Sequence, residues 1–292
     1  MQKLKEILPN RNTEWGCISD MTEDEIVQMR IDSENSKQGD LNLKDGYDCK
    51  KCLNRGFYYK MDKRVFRAGD EPRPYEVQVP CDCWKVRASI RRMKRSGLEP
   101  LLKRCTFDNY IVDNKWQETI KERAKEFPKI VDEIENKWFF IGGGVGSGKT
   151  HLCTAIAREF LLQGKEVRYM LWVKHSQELK ALVNDESYGE MLAALQNVEV
   201  LYIDDFFKPM KDDRGKDLPP TRADIRLAYE IIDHRYRHRD LITIISSERH
   251  VHELEEVDSA VGSRIYEMTK LNACNIAKSK ERNYRLRDME II

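Results

Sequence analysis

The sequence predicts an α/β chain in which a parallel sheet flanked by helices follows a small cysteine-rich module. Three observations predict it. A glycine loop at 143–148 stands between an apolar run and an amphipathic stretch. Later apolar runs alternate with helical periodicity, and one of them ends in two carboxylates. Two close cysteine pairs lie ahead of all these. Alternating strand and helix patterns favour a parallel sheet with helices on its faces.

Bulk properties exclude some roles. The chain has 292 residues, with 51 basic and 50 acidic side chains and a net charge of +1. No global field steers it to nucleic acid, so any such surface must be a local patch. Charged residues make up 35% of the chain, and mean hydropathy is −0.68. The start, Met1-Gln-Lys-Leu-Lys-Glu, lacks an apolar signal core. No run approaches the ~18 apolar residues of a membrane helix. These features lead to the expectation of a cytoplasmic chain with no membrane partner. Thiols stay reduced there, so eight cysteines point to metal or core use.

Met21 to Ile31 carries a helix-start signal. Thr22 with Glu25 three residues on forms a capping box, and Met21 and Ile26 occupy staple positions. The helix packs on its own domain or docks a partner; the residues leave both open. Cys49-Lys-Lys-Cys52 and Cys81-Asp-Cys83 follow. Two such pairs can close a tetrahedral Zn²⁺ site. All six histidines lie beyond Pro100, so a local site is all-cysteine unless Asp48 or Asp82 substitutes. Gly56-Phe-Tyr-Tyr and Tyr75-Glu-Val-Gln-Val read as hairpin strands between the pairs, as in a zinc ribbon. A closed site of this kind is structural; a redox pair or unrelated buried thiols are the alternatives. Trp84 to Ser96 is a helix with six basic and no acidic residues, ended by Ser96-Gly97. It contacts phosphates or an acidic partner, or is simply solvated. Cys17, Cys105, Cys153 and Cys274 are scattered and read as core or surface thiols.

Thr106-Phe-Asp-Asn-Tyr110 links this part to a long charged helix, Lys115 to Glu135. Phe107 and Tyr110 either anchor the linker or pack on a nucleotide base. Lys137-Trp-Phe-Phe-Ile141 is the first buried strand. Next comes the phosphate loop Gly143, Gly144, Val145, Gly146, Ser147, Gly148, Lys149, Thr150, His151. Glycines with positive φ turn several N–H groups on one anion. Lys149 supplies charge for ATP's β and γ phosphates, and the Thr150 hydroxyl suits Mg²⁺. Leu152, Ala155, Ile156 and Phe160 recur at helical spacing, so a helix N-terminus faces the same phosphates.

Glu166 to Trp172 reads as a second strand and Asn197 to Asp205 as a third. The third delivers Asp204 and Asp205 at its end, as a Walker B strand does. Asp204 is expected to hold Mg²⁺ directly or through water, and Asp205 to orient or deprotonate the attacking water. Lys208 to Thr221 is a loop, Ala223 to Arg239 a helix and Leu241 to Ser247 a fourth strand. Ser246, Ser247 or Glu248 is placed to sense a γ-phosphate. Leu271 to Ala277 is a last strand, followed by a basic, exposed stretch from Lys278 to Arg287.

From Thr106 onward the chain resembles the DnaC/DnaI-type replicative helicase loaders of phages and Gram-positive bacteria, AAA+ ATPases related to DnaA and IstB. The motifs are G-G-G-V-G-S-G-K-T-H, L-Y-I-D-D-F-F, T-I-I-S-S-E and G-S-R-I-Y-E-M. The cysteine-bearing front and the turn at Arg95 to Leu98 resemble the amino-terminal half of such loaders. The resemblance implies an AAA+ P-loop ATPase domain over 106–292 and a zinc-stapled, helicase-gripping domain over 1–105. It implies hydrolysis of ATP, a hexameric replicative helicase and single-stranded DNA as partners, and self-assembly in the ATP state. It also implies that Arg264 is an arginine finger reaching a neighbour's γ-phosphate; pairing with Glu267 one turn on is the local alternative. Two residues depart from the pattern: Asp205 and Glu248 stand where many relatives have Glu and Asn. Too few residues follow Arg264 for a full lid domain. An IstB-type transposition helper and a small-molecule P-loop kinase are the rival readings.

Overall fold

The computed structural model describes residues 21–67, 69–95, 98–215 and 217–286. Cys17, the Ser96-Gly97 stop, most of the turn at Arg95 to Leu98, the side chain of Met93 and the tail from Arg287 lie outside the described set. The chain divides into two compact units, Met1–Trp84 and Lys85–Ile292.

In the first unit, α1 (Glu23–Asn35) begins at the capping box read from the sequence. Thr22 Oγ1 accepts from the Glu25 amide at 3.3 Å, and the Glu25 carboxylate accepts from the Thr22 amide at 2.8 Å. α2 (Leu41–Asp45) stops at Gly46, whose φ of 76° is the left-handed conformation that closes helices. β1 (Phe57–Arg64) and β2 (Arg73–Pro80) pair antiparallel, with Phe57 opposite Pro80 and Arg64 opposite Arg73. Each strand extends beyond the stretch expected, because the ladder continues through Lys60 to Arg64 on one side and Pro74 and Arg73 on the other. The Asn35 amide exchanges two 2.8 Å bonds with the Tyr59 backbone, so α1 docks on this hairpin.

The second unit begins in α3 (Cys83–Arg95) and continues through α4 (Glu99–Arg104), α5 (Lys115–Ile130), β3 (Trp138–Gly143), α6 (Lys149–Leu162) and β4 (Val167–Leu171). Then come α7 (Trp172–Ala181), α8 (Ser187–Gln196), β5 (Val200–Asp204), the two-residue strands β6 (Met210–Lys211) and β7 (Asp217–Leu218), and α9 (Arg222–Arg237). β8 (Ile242–Ser247), α10 (Val251–Val257), α11 (Ser259–Thr269) and β9 (Ala273–Ile276) complete it. Among the described residues, five parallel strands form one sheet in the order β4-β5-β8-β3-β9.

Strand alternation sends successive side chains to opposite faces. Trp138, Phe140, Leu201, Ile203 and Ile245 join one core with residues of α7 to α11. On the other face the Phe127 ring of α5 lies 5.3 Å from Phe139 and 6.0 Å from Phe160. Arg235, fully buried, ties the end of α8 to β8. It donates to the Leu195, Gln196 and Val198 carbonyls at 2.9–3.1 Å and to Thr243 Oγ1 at 2.9 Å. Gly262 lets α11 meet α10: a Cβ there would sit 2.4 Å from the Glu255 backbone.

Some expectations are revised. The helix from Lys115 ends at Ile130 rather than Glu135, two residues after Pro128, whose ring lacks the amide a helix interior needs. Trp172 opens α7 directly after β4 instead of ending the strand. The helices α7 and α8 fill the span between the second and third strands, to which no element was assigned from the sequence. The loop after Asp205 carries the small antiparallel pair β6–β7.

Candidate nucleotide site and metal centre

Register aligns the strand ends. Leu171 lies opposite Asp204, Ile203 opposite Ile245, and Gly142 opposite Ser247. The loop after β3, both aspartates and Ser246 therefore converge on one edge of the sheet.

The loop needs its glycines. Gly146 and Gly148 have φ of 75° and 88°, which L side chains rarely adopt. Space is short as well. A Cβ on Gly146 would collide with the Asn283 side chain, and one on Gly148 would lie 2.8 Å from the Tyr110 ring. α6 begins at Lys149, directing its N-terminal amides and positive dipole end towards the loop.

Lys149 is buried and folds back over the loop, donating to the Gly143 and Gly144 carbonyls at 2.8 and 2.7 Å. Burial pushes its pKa down, and Glu248, Asp205 and Asp204 oppose the shift. Ser147 Oγ closes the turn onto Gly144 O at 2.8 Å. Asp204 is nine-tenths buried or more, and burial raises its carboxyl pKa against the hydrogen bond from Ser246. It accepts from the hydroxyls of Ser246, of Thr150 at 3.1 Å and of Tyr169 at 3.2 Å. Asp205, in the left-handed region at φ 56°, pairs with Lys208 at 2.8 Å.

A cavity of about 870 Å³ opens beside these groups, within the size range of sites that hold a drug-sized ligand. Val145, Gly146, Ser147, Gly148, Lys149, Thr150, His151 and Asp205 line it, together with Tyr110, Trp116, Lys208 and Glu248. Gly143, Gly144 and Asp204 sit behind this lining and position Lys149 and Thr150. The His151 ring bonds the Thr106 carbonyl at 2.8 Å and meets Tyr110 edge-on at 5.3 Å. Phe107 and Tyr110 are both buried. Tyr110 both anchors the linker and faces the cavity.

The donor set suits a hard cation. Adjacent ligands of an octahedral Mg²⁺ stand about 3.0 Å apart at bond lengths of about 2.1 Å. Thr150 Oγ1 and Asp204 Oδ1 are 3.1 Å apart.

Arg264 lies elsewhere, on α11. Its guanidinium pairs with Asp233 at 3.0 Å, donates to Ala260 O at 2.8 Å, and stands 5.3 and 5.4 Å from the Tyr229 and Tyr236 rings. Glu267 pairs with Arg239 at 2.9 Å instead, so the i,i+3 alternative for Arg264 is not the pairing found. Sequence reasoning missed Tyr169, Asp233 and Lys208. It also missed the tail, where the Tyr284 amide donates to Gly146 O at 3.0 Å and Arg282 stacks 5.0 Å from the Trp116 ring. Only Lys208, three residues past Asp205, carried a local signal.

In the first unit, Cys49, Cys52, Cys81 and Cys83 are buried, and their sulfurs all lie within 4.8 Å of one another. Four thiolates about 2.3 Å from a Zn²⁺ stand about 3.8 Å apart. Cys49–Cys81 and Cys52–Cys83 are each 3.7 Å apart. The knuckle is shaped by Leu53 and Asn54, at φ 44° and 67°, and the Gly56 amide donates to Cys52 Sγ at 3.3 Å. Asp48 instead accepts from the Asn54 side-chain Nδ2 at 2.6 Å, and Asp82 pairs with Lys51. The residues therefore fit a structural tetrahedral ion. Cys105, Cys153 and Cys274 are separate buried thiols.

Residues 104–290 match the family described as IstB-like ATP binding protein. The chain is 34% identical over 222 residues to YqaM of Bacillus subtilis (strain 168), covering 72% of this chain and 67% of that one. It is 32% identical over 232 residues to XkdC, a phage-like element PBSX protein of the same organism, covering 76% and 79%. It is 33% identical over 119 residues to the replicative helicase loader DnaC of Escherichia coli (strain K12). That match covers 39% of this chain and 47% of DnaC, so it spans about half the loader's length. No described helix is long and apolar enough to cross a membrane.

Proposed function

We propose that this chain, which belongs to the IstB-like ATP-binding protein family, is a cytoplasmic ATPase that loads a replicative DNA helicase onto single-stranded DNA. The observation that carries the reading is the convergence of Lys149, Thr150, Asp204 and Asp205 on one sheet edge beside a cavity of nucleotide size. The loop amides and Lys149 hold the β and γ phosphates of ATP. Thr150 and Asp204 hold Mg²⁺, which neutralises phosphate charge when bound. Ser246 and Tyr169 fix the Asp204 carboxylate. Asp205 orients the attacking water. Arg264, held outside its own chain's cavity, serves the site of a neighbouring copy in an ATP-dependent assembly. Residues 1–105, stapled by zinc on the four cysteines, grip the helicase, and 106–292 form the motor.

The DnaC similarity supports the loader assignment, as does a front unit that carries its own four-cysteine cluster. The test is co-elution of the full-length chain with the hexameric replicative helicase of its host, with Mg²⁺–ATP present. A stable complex is expected at micromolar concentration, and its absence overturns the loader assignment. The match to IstB-like proteins favours a second reading, a transposition helper acting on duplex DNA. Preference for duplex over single strands, with capture of a transposase, would select it.

A further inference from the structure

The turn after β5 is unusual in its backbone. Asp205 and Phe207, neither of them glycine, have φ of 56° and 46°. Single residues in this region persist only where the surroundings over-determine them. Here the surroundings do so. The Asp205 amide donates to Ser246 Oγ at 3.2 Å, and the Phe206 amide to Ser246 O at 2.8 Å. Ser247 Oγ donates to Phe206 O at 2.7 Å, and Arg249 Nε to Phe207 O at 3.1 Å. The Phe206 and Phe207 rings are buried, stacked 4.2 Å apart and packed against Trp172.

This geometry throws the next side chain back over the site. Lys208 Nζ lies 2.8 Å from Asp205 Oδ2 and 3.5 Å from Glu248 Oε1. One ammonium thus bridges carboxylates that follow two neighbouring strands, β5 and β8, and it does so on the cavity wall. Asp204 is engaged by hydroxyls and Lys149 by loop carbonyls, so the bridge falls on the one aspartate free of both tasks. An ammonium at 2.8 Å takes up part of the acceptor capacity of Oδ2 and ties the orientation of the carboxylate to Lys208.

We propose that Lys208 is a positioning residue that gates hydrolysis: its bridge to Asp205 and Glu248 holds the water-orienting carboxylate in a resting arrangement, and turnover requires Lys208 to leave. The gate rests on the ATPase reading above. Its release is mechanically accessible. Lys208 is 41% exposed in its side chain and begins the excursion that carries β6 and β7. Met210 and Leu218 on that excursion are exposed.

The experiment measures Mg²⁺–ATP affinity with a fluorescent nucleotide and steady-state hydrolysis, using full-length wild type, Lys208→Met, Lys208→Arg and Asp205→Asn/Lys208→Met. Loss of a half-exposed ion pair predicts a kcat for Lys208→Met about twofold to fivefold above wild type, with KM and nucleotide affinity unchanged. Lys208→Arg restores the low rate, and the double variant loses the gain because the gain runs through Asp205. If Lys208→Met binds nucleotide as wild type does but turns over no faster, or slower, the gate is wrong and the nucleotide site stands. If neither wild type nor variant binds nucleotide, the ATPase reading fails and the gate fails with it.

Discussion

Arg264 Nη2 stands 3.0 Å from Asp233 Oδ1, so the arginine of the G-S-R-I-Y motif is anchored to α9 of its own chain. Two tyrosine rings flank it. Its side chain is 24% exposed and does not line its own chain's cavity, so the finger role proposed for it falls on a neighbouring copy. Arg264→Ala should therefore leave Mg²⁺–ATP binding by the isolated chain intact. Turnover at assembling concentrations should fall by about 10³-fold or more, the scale of arginine fingers elsewhere. Hydrolysis measured against protein concentration checks it, and normal turnover in the assembled state removes the finger role.

Ser246 orients Asp204 from the neighbouring strand. Outer partners of metal ligands typically carry about 10- to 100-fold in metal affinity. Ser246→Ala is expected to raise the Mg²⁺ concentration needed for tight ATP binding by about tenfold or more on that basis. A Mg²⁺ titration at fixed ATP reads this directly. An unchanged midpoint would mean Thr150 and Tyr169 suffice to hold the carboxylate.

The cysteine cluster predicts one zinc per chain. Metal analysis of protein purified without added zinc should find it, and a strong chelator should release it and unfold the hairpin unit. Cys52→Ser should do the same while nucleotide binding persists, since the nucleotide cavity is lined from the second unit. Metal content near zero would leave four buried thiols without their ion.

Gly262→Ala tests the packing of α10 on α11. The added methyl meets Glu255 backbone at 2.4 Å, which no rotamer change relieves. Overpacking of this kind costs about 1–3 kcal/mol, visible as a lower midpoint in denaturant. A neutral result would show that the two helices slide apart freely.

Much of the site was legible because its signals are local. The glycine spacing with its preceding apolar run is written within a few consecutive residues, and so are the strand β5 and its two aspartates. The same holds for the cysteine pairs and for the Thr22–Glu25 box. What was not legible depends on sheet order and register. Tyr169 reaches Asp204 only because β4 pairs with β5, and Lys208 meets Glu248 only because β5 pairs with β8. Asp233 and Arg264 are joined by packing of α9 on α11. Trp172 was read as strand because apolarity continues past Leu171. The residue is indeed buried, but against Phe206 and Phe207 from a helix. Apolar content alone does not mark the change from period two to period 3.6.

On the proposed reading, the loop at Gly143–Thr150 grips the phosphates of ATP. The most direct measurement is titration of Mg²⁺–ATP into the full-length chain and into Lys149→Ala, with circular dichroism confirming that both are folded. Loss of a charged donor to the phosphates predicts saturable binding by the chain and binding at least about tenfold weaker by the variant. Equal affinity in the two folded proteins would contradict the account.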